Sequence, residues 1–186
     1  MKINNTFKLI VAIGVSLSAG AIGSVFTTPA VQSDWYLQLI KPALNPPAWV
    51  FAPAWTTLYV LMGIALFLVW SSYAPVDAEA MAGKKASADK NQHSHILQNV
   101  RMLRMQRWGI FSFFLQLALN AAWSIIFFGL HSPGWALVGI VLLWLAIVWT
   151  MVVFYKISRP AAYLLVPYLL WVSFASYLNY AIWMLN

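Results

Sequence analysis

The sequence predicts an all-α fold, a bundle of five helices that cross a membrane. Of its 186 residues, 62% are hydrophobic and only 8% are charged, which leaves too little polar surface to cover a water-soluble globule. Its uncharged stretches contain ten of the eleven tryptophans. A helix of roughly 20 apolar residues crosses a hydrocarbon core of about 30 Å with its backbone groups bonded internally. We expect one membrane domain over residues 1–186, with spans near 9–27, 49–71, 107–128, 134–155 and 161–184.

The first predicted span follows Lys2 and Lys8 and precedes small residues, a pattern that a cleaved secretory signal peptide shares. Ser16, Gly20 and Ser24 recur every four residues, and small residues at this spacing let helix backbones approach closely in lipid. Cleavage would discard that packing face. We therefore interpret the segment as a retained helix.

Prolines and glycines mark the boundaries of the other spans. The second span begins after Pro46 and Pro47, where the missing amide proton of proline costs little. A short turn at 131–134 divides an otherwise continuous apolar run, so the third and fourth helices should be antiparallel neighbours. Pro167 falls inside the fifth span, and we expect it to kink that helix next to Trp171.

The segment 72–106, between the second and third spans, has the composition of a water-soluble stretch. It is either an extension of the two flanking helices or a partly disordered loop. His93 and His95 stand two apart in it, but without a cysteine or a carboxylate cluster they are weak evidence for a metal site, and we predict none. The chain has no cysteine, which excludes thiol chemistry.

The formal net charge of +7 is distributed unevenly along the chain. With five spans, alternate connections lie on opposite sides of the membrane. Ten of the eleven basic residues then share the side of the N-terminus, while Lys41 lies on the other. By the positive-inside rule, the N-terminus and the basic loop 72–106 are cytoplasmic and the C-terminus faces out. The charge therefore indicates topology, and we expect no nucleic-acid partner.

The predicted spans contain no charged residue between their ends, which argues against a proton pump that works through buried carboxylates. Three of them combine tryptophan with uncharged polar groups at helical spacing. These stripes are Trp55, Tyr59 and Met62 or Gly63; Gln116, Asn120 and Trp123; and Trp171, Ala175, Leu178 and Asn179. Each residue alone could serve helix packing. Together, the inward rings beside Ala175 and Gly63 leave room for a flat apolar ligand.

Several motifs in these spans resemble those of the TspO/MBR family of tryptophan-rich sensory proteins and mitochondrial translocator proteins. They follow one another in the same order as in that family and cover all five spans. The matching segments include 45–55 (NPPAWVFAPAW), 116–123 (QLALNAAW), 167–171 (PYLLW) and 178–180 (LNY).

The resemblance implies a membrane-embedded homodimer that binds tetrapyrroles, such as protoporphyrin IX or haem, as ligands and requires no cofactor. A chain of the bacterial type would lie in the inner membrane. Trp55 and Trp171 match tryptophans proposed to act in light-dependent porphyrin degradation, which would make them catalytic. With the stripes, the resemblance gives a candidate ligand-binding set: Trp35, Trp49, Trp55, Tyr59, Gln116, Asn120, Trp123, Trp135, Trp171, Ala175, Leu178 and Asn179.

Two features narrow the choice of ligand. The family's cholesterol-recognition pattern places a basic residue a few positions after a tyrosine in the last helix. None follows Tyr180 here, so we do not expect strong cholesterol binding. His93, His95 and His131 all lie outside the predicted spans, so the usual axial ligands of haem iron are missing from the pocket. Metal-free porphyrin, held by stacking and amide hydrogen bonds, therefore fits better.

Three functions are compatible with the sequence. The leading hypothesis is an integral membrane receptor, carrier or sensor of porphyrins. The alternative is a light- and oxygen-dependent enzyme that degrades porphyrin through Trp55 or Trp171. The third is an assembly partner that uses the same helix faces without a ligand. Ordinary hydrolytic or proton-transfer catalysis is not expected, because no acid, base or nucleophile pair stands beside these rings.

Overall fold

The computed structural model describes residues 4–72 and 89–186, with side chains described up to residue 72 and from residue 97 onward. These residues form helices and no strand, which confirms the all-α prediction. The elements are α1 (Asn5–Ala30), α2 (Asp34–Gln38), a 3₁₀ turn (Ala48–Val50), α3 (Phe51–Ser71), α4 (Asp89–Ser124), a π-helical turn (Ile125–Gly129), α5 (Pro133–Ile157), α6 (Arg159–Tyr163) and α7 (Val166–Leu185).

Five helical segments are long and apolar enough to cross a membrane, as predicted. They are Asn5–Ala30, Ala48–Ser71, Leu97–Gly129, Pro133–Ile157 and Arg159–Leu185. The third begins earlier than the sequence suggested because α4 already starts at Asp89. The segment 72–106 was expected to be either a helical extension or a partly disordered loop, and residues 89–106 are a helical extension. Residues 73–88, and the side chains of His93 and His95, lie outside the part of the chain that the structure describes.

The spans form a closed ring around a shared core. α1 packs extensively on α3 and also on α4, and α4 packs extensively on α5. α5 in turn contacts α6 and α7, and α6 returns to α3. Contacts between α3 and α7 themselves are sparse. The ring therefore packs loosely where α3 faces α7.

Small residues let α1 and α3 cross closely. A Cβ added at Gly63 would lie 2.6 Å from the Ile13 Cα, so Gly63 serves this crossing and the space beside it holds no ligand, contrary to our expectation. Ser16 is buried and Gly20 abuts the Tyr59 ring, as a packing face requires. Ser24 is exposed, because each four-residue step on a 3.6-residue helix rotates the side chain by about 40°.

The fifth span is broken at 164–165, between α6 and α7. Pro167 sits in the first turn of α7, where it has no helical hydrogen bond to lose. The predicted kink next to Trp171 was therefore misplaced: the chain turns before the proline. In that turn the amide of Leu165 bonds the carbonyl of Ala162 at 3.1 Å, a tighter pattern than that of an α-helix.

Candidate functional site

One buried amide joins three helices at the centre of the bundle. Asn120 of α4 is 2% exposed. The Tyr59 hydroxyl of α3 donates to Asn120 Oδ1 at 2.5 Å, and Asn120 Nδ2 donates to the Tyr168 hydroxyl of α7 at 3.1 Å. Interhelical bonds of this kind fix helix positions in a bundle that has no hydrophobic driving force between its members.

Aromatic rings surround this amide and converge on Trp55. The Trp55 ring stacks on Tyr59, with centroids 5.6 Å apart and planes inclined by 27°. The edges of Tyr168 and Trp171 meet it at 6.3 Å and 6.4 Å. Both geometries are favoured for aromatic pairs. We call Trp55, Tyr59, Asn120, Tyr168 and Trp171 the central cluster; it bridges α3 and α7, where helix contacts are sparse.

Two polar groups near this cluster have no partner among the described residues. Gln116 lies one turn before Asn120 on α4 and is 1% exposed, yet neither its Oε1 nor its Nε2 is hydrogen-bonded. The buried indole N–H of Trp171 also lacks an acceptor. Buried polar groups are normally paired, and leaving one unpaired costs about 1–3 kcal/mol. These buried atoms, one acceptor and two donors, therefore keep a hydrogen-bonding capacity that no described residue uses.

Other predicted site residues form a second cluster towards the start of α5. Trp123 Nε1 donates to Asn179 Oδ1 at 2.9 Å, and Asn179 Nδ2 donates to the Pro133 carbonyl at 2.7 Å. Leu178 is buried beside Asn179. The Asn179 amide is thus already engaged by Trp123 and by the backbone, and its observed role is to hold α4, α5 and α7 together.

Trp35 of α2 packs on this second cluster and also faces an open cavity. Its ring meets the edge of Phe127 at 6.0 Å and stacks on His131 at 4.2 Å. The cavity, of about 690 Å³, lies between the rings of Trp35, Trp135 and Trp183. Trp135 is 72% exposed, so it lines the mouth of this surface cavity.

The remaining predicted residues are Ala175 and Trp49. Ala175, one turn after Trp171, is half-buried against the core. Trp49 is 75% exposed on the 3₁₀ turn that precedes α3. The structure therefore gathers Trp55, Tyr59, Asn120, Trp171 and Ala175 in the centre, with Gln116 buried one turn before Asn120 on α4. It leaves Trp49 on the surface.

Sequence reasoning missed Tyr168 and His131. Tyr168 is fully buried and bonds Asn120; its position one turn before Trp171 on an aromatic face could have identified it. His131 adopts a φ of 50°, a left-handed conformation that is uncommon for a residue other than glycine. Nothing in the sequence marks that conformation, which occurs two residues after the π-helical turn Ile125–Gly129.

The connection after α2 is fastened to the end of α7. The Ile40 amide donates to Asn186 Oδ1 at 3.0 Å, and Asn186 Nδ2 donates to the Ile40 carbonyl at 3.1 Å. The Lys41 ammonium lies 4.1 Å from the centre of the Tyr36 ring, and burial raises the pKa of the Tyr36 phenol. The ring under the ammonium is therefore neutral at physiological pH, and the contact is a cation–π interaction.

The described side chains give no cluster suited to a metal. Among them, no group of three or more histidine, cysteine, aspartate or glutamate residues is placed to hold an ion. The chemistry that the central cluster offers is accordingly stacking, amide hydrogen bonding and the indole of tryptophan.

Comparison with known proteins agrees with this architecture. The sequence model of the TspO/MBR family matches residues 12–184. The chain is 46% identical to the tryptophan-rich protein TspO of Chlorobaculum tepidum, over 96% of this chain and 95% of that one. It is 40% identical to the protein of the same name from Archaeoglobus fulgidus, over 98% and 99% of the two chains. It is 38% identical to the human translocator protein, over 80% and 73%. The chain is therefore a multi-pass membrane protein that belongs to the TspO/MBR family.

Proposed function

We propose that this protein is a membrane receptor, carrier or sensor that binds a tetrapyrrole, preferably metal-free protoporphyrin IX, at the central cluster. The observation that carries the proposal is the contact between the Trp55 and Trp171 rings, together with the unpaired indole N–H of Trp171 and the unpaired amide of Gln116, one turn from Asn120 of the same cluster. Small-molecule sites in proteins are mostly apolar and aromatic, with a few polar groups that fix orientation. The family resemblance supplies the class of ligand.

A planar ligand would enter by separating Trp55 from Trp171. These rings belong to α3 and α7 and meet edge to face at 6.4 Å, and few other contacts hold the two helices together. A porphyrin face stacked on either ring gains about 0.5–1.5 kcal/mol beyond burial. The Gln116 carbonyl can accept from a pyrrole N–H, and its amide and the Trp171 indole can donate.

The second candidate function is light-dependent degradation of the bound porphyrin. The contact between Trp55 and Trp171 favours it, because either indole would lie against the ligand that absorbs the light. This hypothesis requires oxygen as the oxidant and a tryptophan that can be oxidised. The receptor hypothesis requires only binding.

One experiment separates these functions. Purified protein in lipid nanodiscs receives protoporphyrin IX, and absorbance is followed in the dark and under light for the wild type and for Trp55→Phe, Trp171→Phe. Saturable binding without protein-dependent bleaching supports the receptor, carrier or sensor. Bleaching to a new product that the double variant loses while it still binds supports the enzyme. Absence of saturable binding would contradict both the receptor, carrier or sensor hypothesis and the enzyme hypothesis, and would favour an assembly role.

We also propose a location and an assembly. The chain lies in a bacterial inner membrane with its N-terminus in the cytoplasm, since most of the basic residues lie at the end of the bundle that carries the N-terminus. It forms a homodimer, for which the exposed small residue Ala118 on α4 offers a close-approach point. Its expected partners are porphyrin-type molecules and membrane lipid, without nucleic acid and without strong cholesterol binding.

A further inference from the structure

Helix α4 extends well past the end of the bundle. Gln106 Nε2 donates to the carbonyls of Val69 and Trp70 at 3.0 Å and 3.2 Å, which marks the end of α3 at the level of Gln106. Gly109 lies against Phe154 and Ile157, near the end of α5. Residues 89–105 of α4 therefore project beyond both helices by roughly 25 Å, at 1.5 Å per residue.

A groove lies along α4 where it leaves the bundle. Its volume is about 730 Å³. Residues three and four apart on one face of α4 line it: Val100, Leu103, Arg104, Arg107, Trp108 and Phe111. Trp108 and Phe111 are 52% and 54% exposed. The Trp149 ring of α5 packs on both, at 6.2 Å and 6.1 Å, and extends the aromatic surface towards the hydrocarbon.

The two arginines of the groove lie between an apolar pair, Val100 and Leu103, and an aromatic pair, Trp108 and Phe111. Arg104 and Arg107 are exposed at the point where α4 leaves the bundle. Lys8, which lies 5.9 Å from the Trp70 ring, and Lys156, near the end of α5, add positive charge at the same level. The one acidic side chain that the structure describes, Asp34, belongs to α2, at the opposite end.

We propose that this groove binds an anionic phospholipid. Arg104 and Arg107 hold the phosphate, since a guanidinium pairs with phosphate oxygens in a fixed fork geometry. Trp108 lies at the level of the glycerol backbone, where tryptophan is favoured, and an acyl chain runs over Phe111 and Trp149. A free anion would use the arginines alone and leave the aromatic half of the groove bare. Basic pockets beside transmembrane helices are a known setting for acidic headgroups.

The test measures lipid retention. The full chain is purified in detergent, titrated with phosphatidylglycerol or phosphatidylcholine, and analysed by native mass spectrometry. For Arg104→Gln, Arg107→Gln we expect phosphatidylglycerol affinity to fall about 25-fold, or about fivefold for each arginine, with phosphatidylcholine binding unchanged. The matched control Lys8→Gln, Lys156→Gln removes two charges from the same end of the bundle but outside the groove. Its phosphatidylglycerol affinity should fall less than threefold.

Equal losses in the two double variants would overturn the proposal, because charge alone would then explain retention. So would an unchanged affinity in the arginine variant. A second measurement adds inorganic phosphate to the lipid-bound wild type. We expect a tenfold molar excess to leave the lipid bound; displacement would show a simple anion site and would also overturn the proposal. Arg104, Arg107 and Lys156 are exposed and Lys8 is half-buried, and unaltered circular dichroism checks that the fold is kept.

Discussion

At the scale of single residues, three buried amides with similar sequence contexts have different roles. Asn120 uses both of its side-chain atoms to bond Tyr59 and Tyr168. Asn179 uses both of its own on Trp123 and Pro133. Gln116 uses neither among the described residues. Two of these amides therefore stabilise the bundle, and the third is retained at a cost in stability, as a binding residue would be.

Substituting leucine at two neighbouring positions of α4 tests this difference. Gln116→Leu removes an unpaired buried amide, so the free energy of unfolding without ligand should rise by about 1 kcal/mol. Asn120→Leu leaves two tyrosine hydroxyls without their partner. The free energy of unfolding should therefore fall by about 1 kcal/mol, at about 0.6 kcal/mol for each membrane hydrogen bond. Denaturation in mixed micelles measures both. Changes of the same sign would refute the distinction.

The spacing of site residues could be predicted from the sequence, but the grouping could not. Asn120 and Trp123 share a face of α4 at three-residue spacing, as expected, yet that spacing still separates them by about 60° around the axis. Asn120 consequently bonds Tyr59 of α3 and Tyr168 of α7, whereas Trp123 bonds Asn179, further along α7, and packs on Phe127 of the π-helical turn. A helical wheel shows neighbours on one helix; which partner helix each one meets depends on the ring order of the bundle.

At the scale of elements, the close crossing of α1 and α3 depends on Gly63. The Ile13 backbone leaves no room for a Cβ there, so the two helices pack closely along their length. Gly14, on the outward face of α1, has nothing within 4 Å of such a Cβ. The two glycines offer a matched pair for testing the crossing.

Gly63→Ala should lower the free energy of unfolding by about 1–3 kcal/mol, the usual cost of forcing extra volume into a packed contact. Gly14→Ala should leave it unchanged or raise it by up to about 1 kcal/mol, because alanine is the better helix former. Thermal unfolding in detergent, followed by tryptophan fluorescence, compares them. A loss of equal size in both variants would mean that the crossing tolerates separation.

The element boundaries that sequence reasoning misplaced have physical causes. Residues 89–106 were ambiguous because charged and polar residues interrupt the apolar run there, although many of them are good helix formers. The kink assigned to Pro167 moved earlier because a proline in the first turn of a new helix needs no amide partner, and the chain breaks at 164–165. Both differences depend on tertiary context that local pattern does not contain.

At the scale of the whole molecule, the bundle has two unlike ends. One carries the described cations of α1, α4, α5 and α6, and the other carries Asp34, Lys41 and the surface cavity beside Trp35. This asymmetry supports a cytoplasmic location for the basic end. It also places the proposed phospholipid groove and the surface cavity on opposite faces of the membrane.

The absence of cysteine from the chain makes this topology directly testable. Single cysteines are introduced at Leu44, which is 65% exposed, and at Lys156. A membrane-impermeant maleimide added to intact spheroplasts should label Leu44→Cys and should reach Lys156→Cys only after lysis. The reverse pattern would place the basic end outside and contradict the positive-inside argument.

The most direct test of the central claim, that the cluster around Trp55 and Trp171 binds porphyrin, is a titration of tryptophan fluorescence with protoporphyrin IX in nanodiscs, in the dark. We predict saturable quenching with one site per chain. Binding should be at least tenfold weaker in Trp171→Ala, which loses up to about 1.5 kcal/mol of stacking in addition to the burial of the ring against the ligand. Binding should be unchanged in Trp149→Ala, on the outer face of α5. Equal affinity in all three proteins would contradict the account.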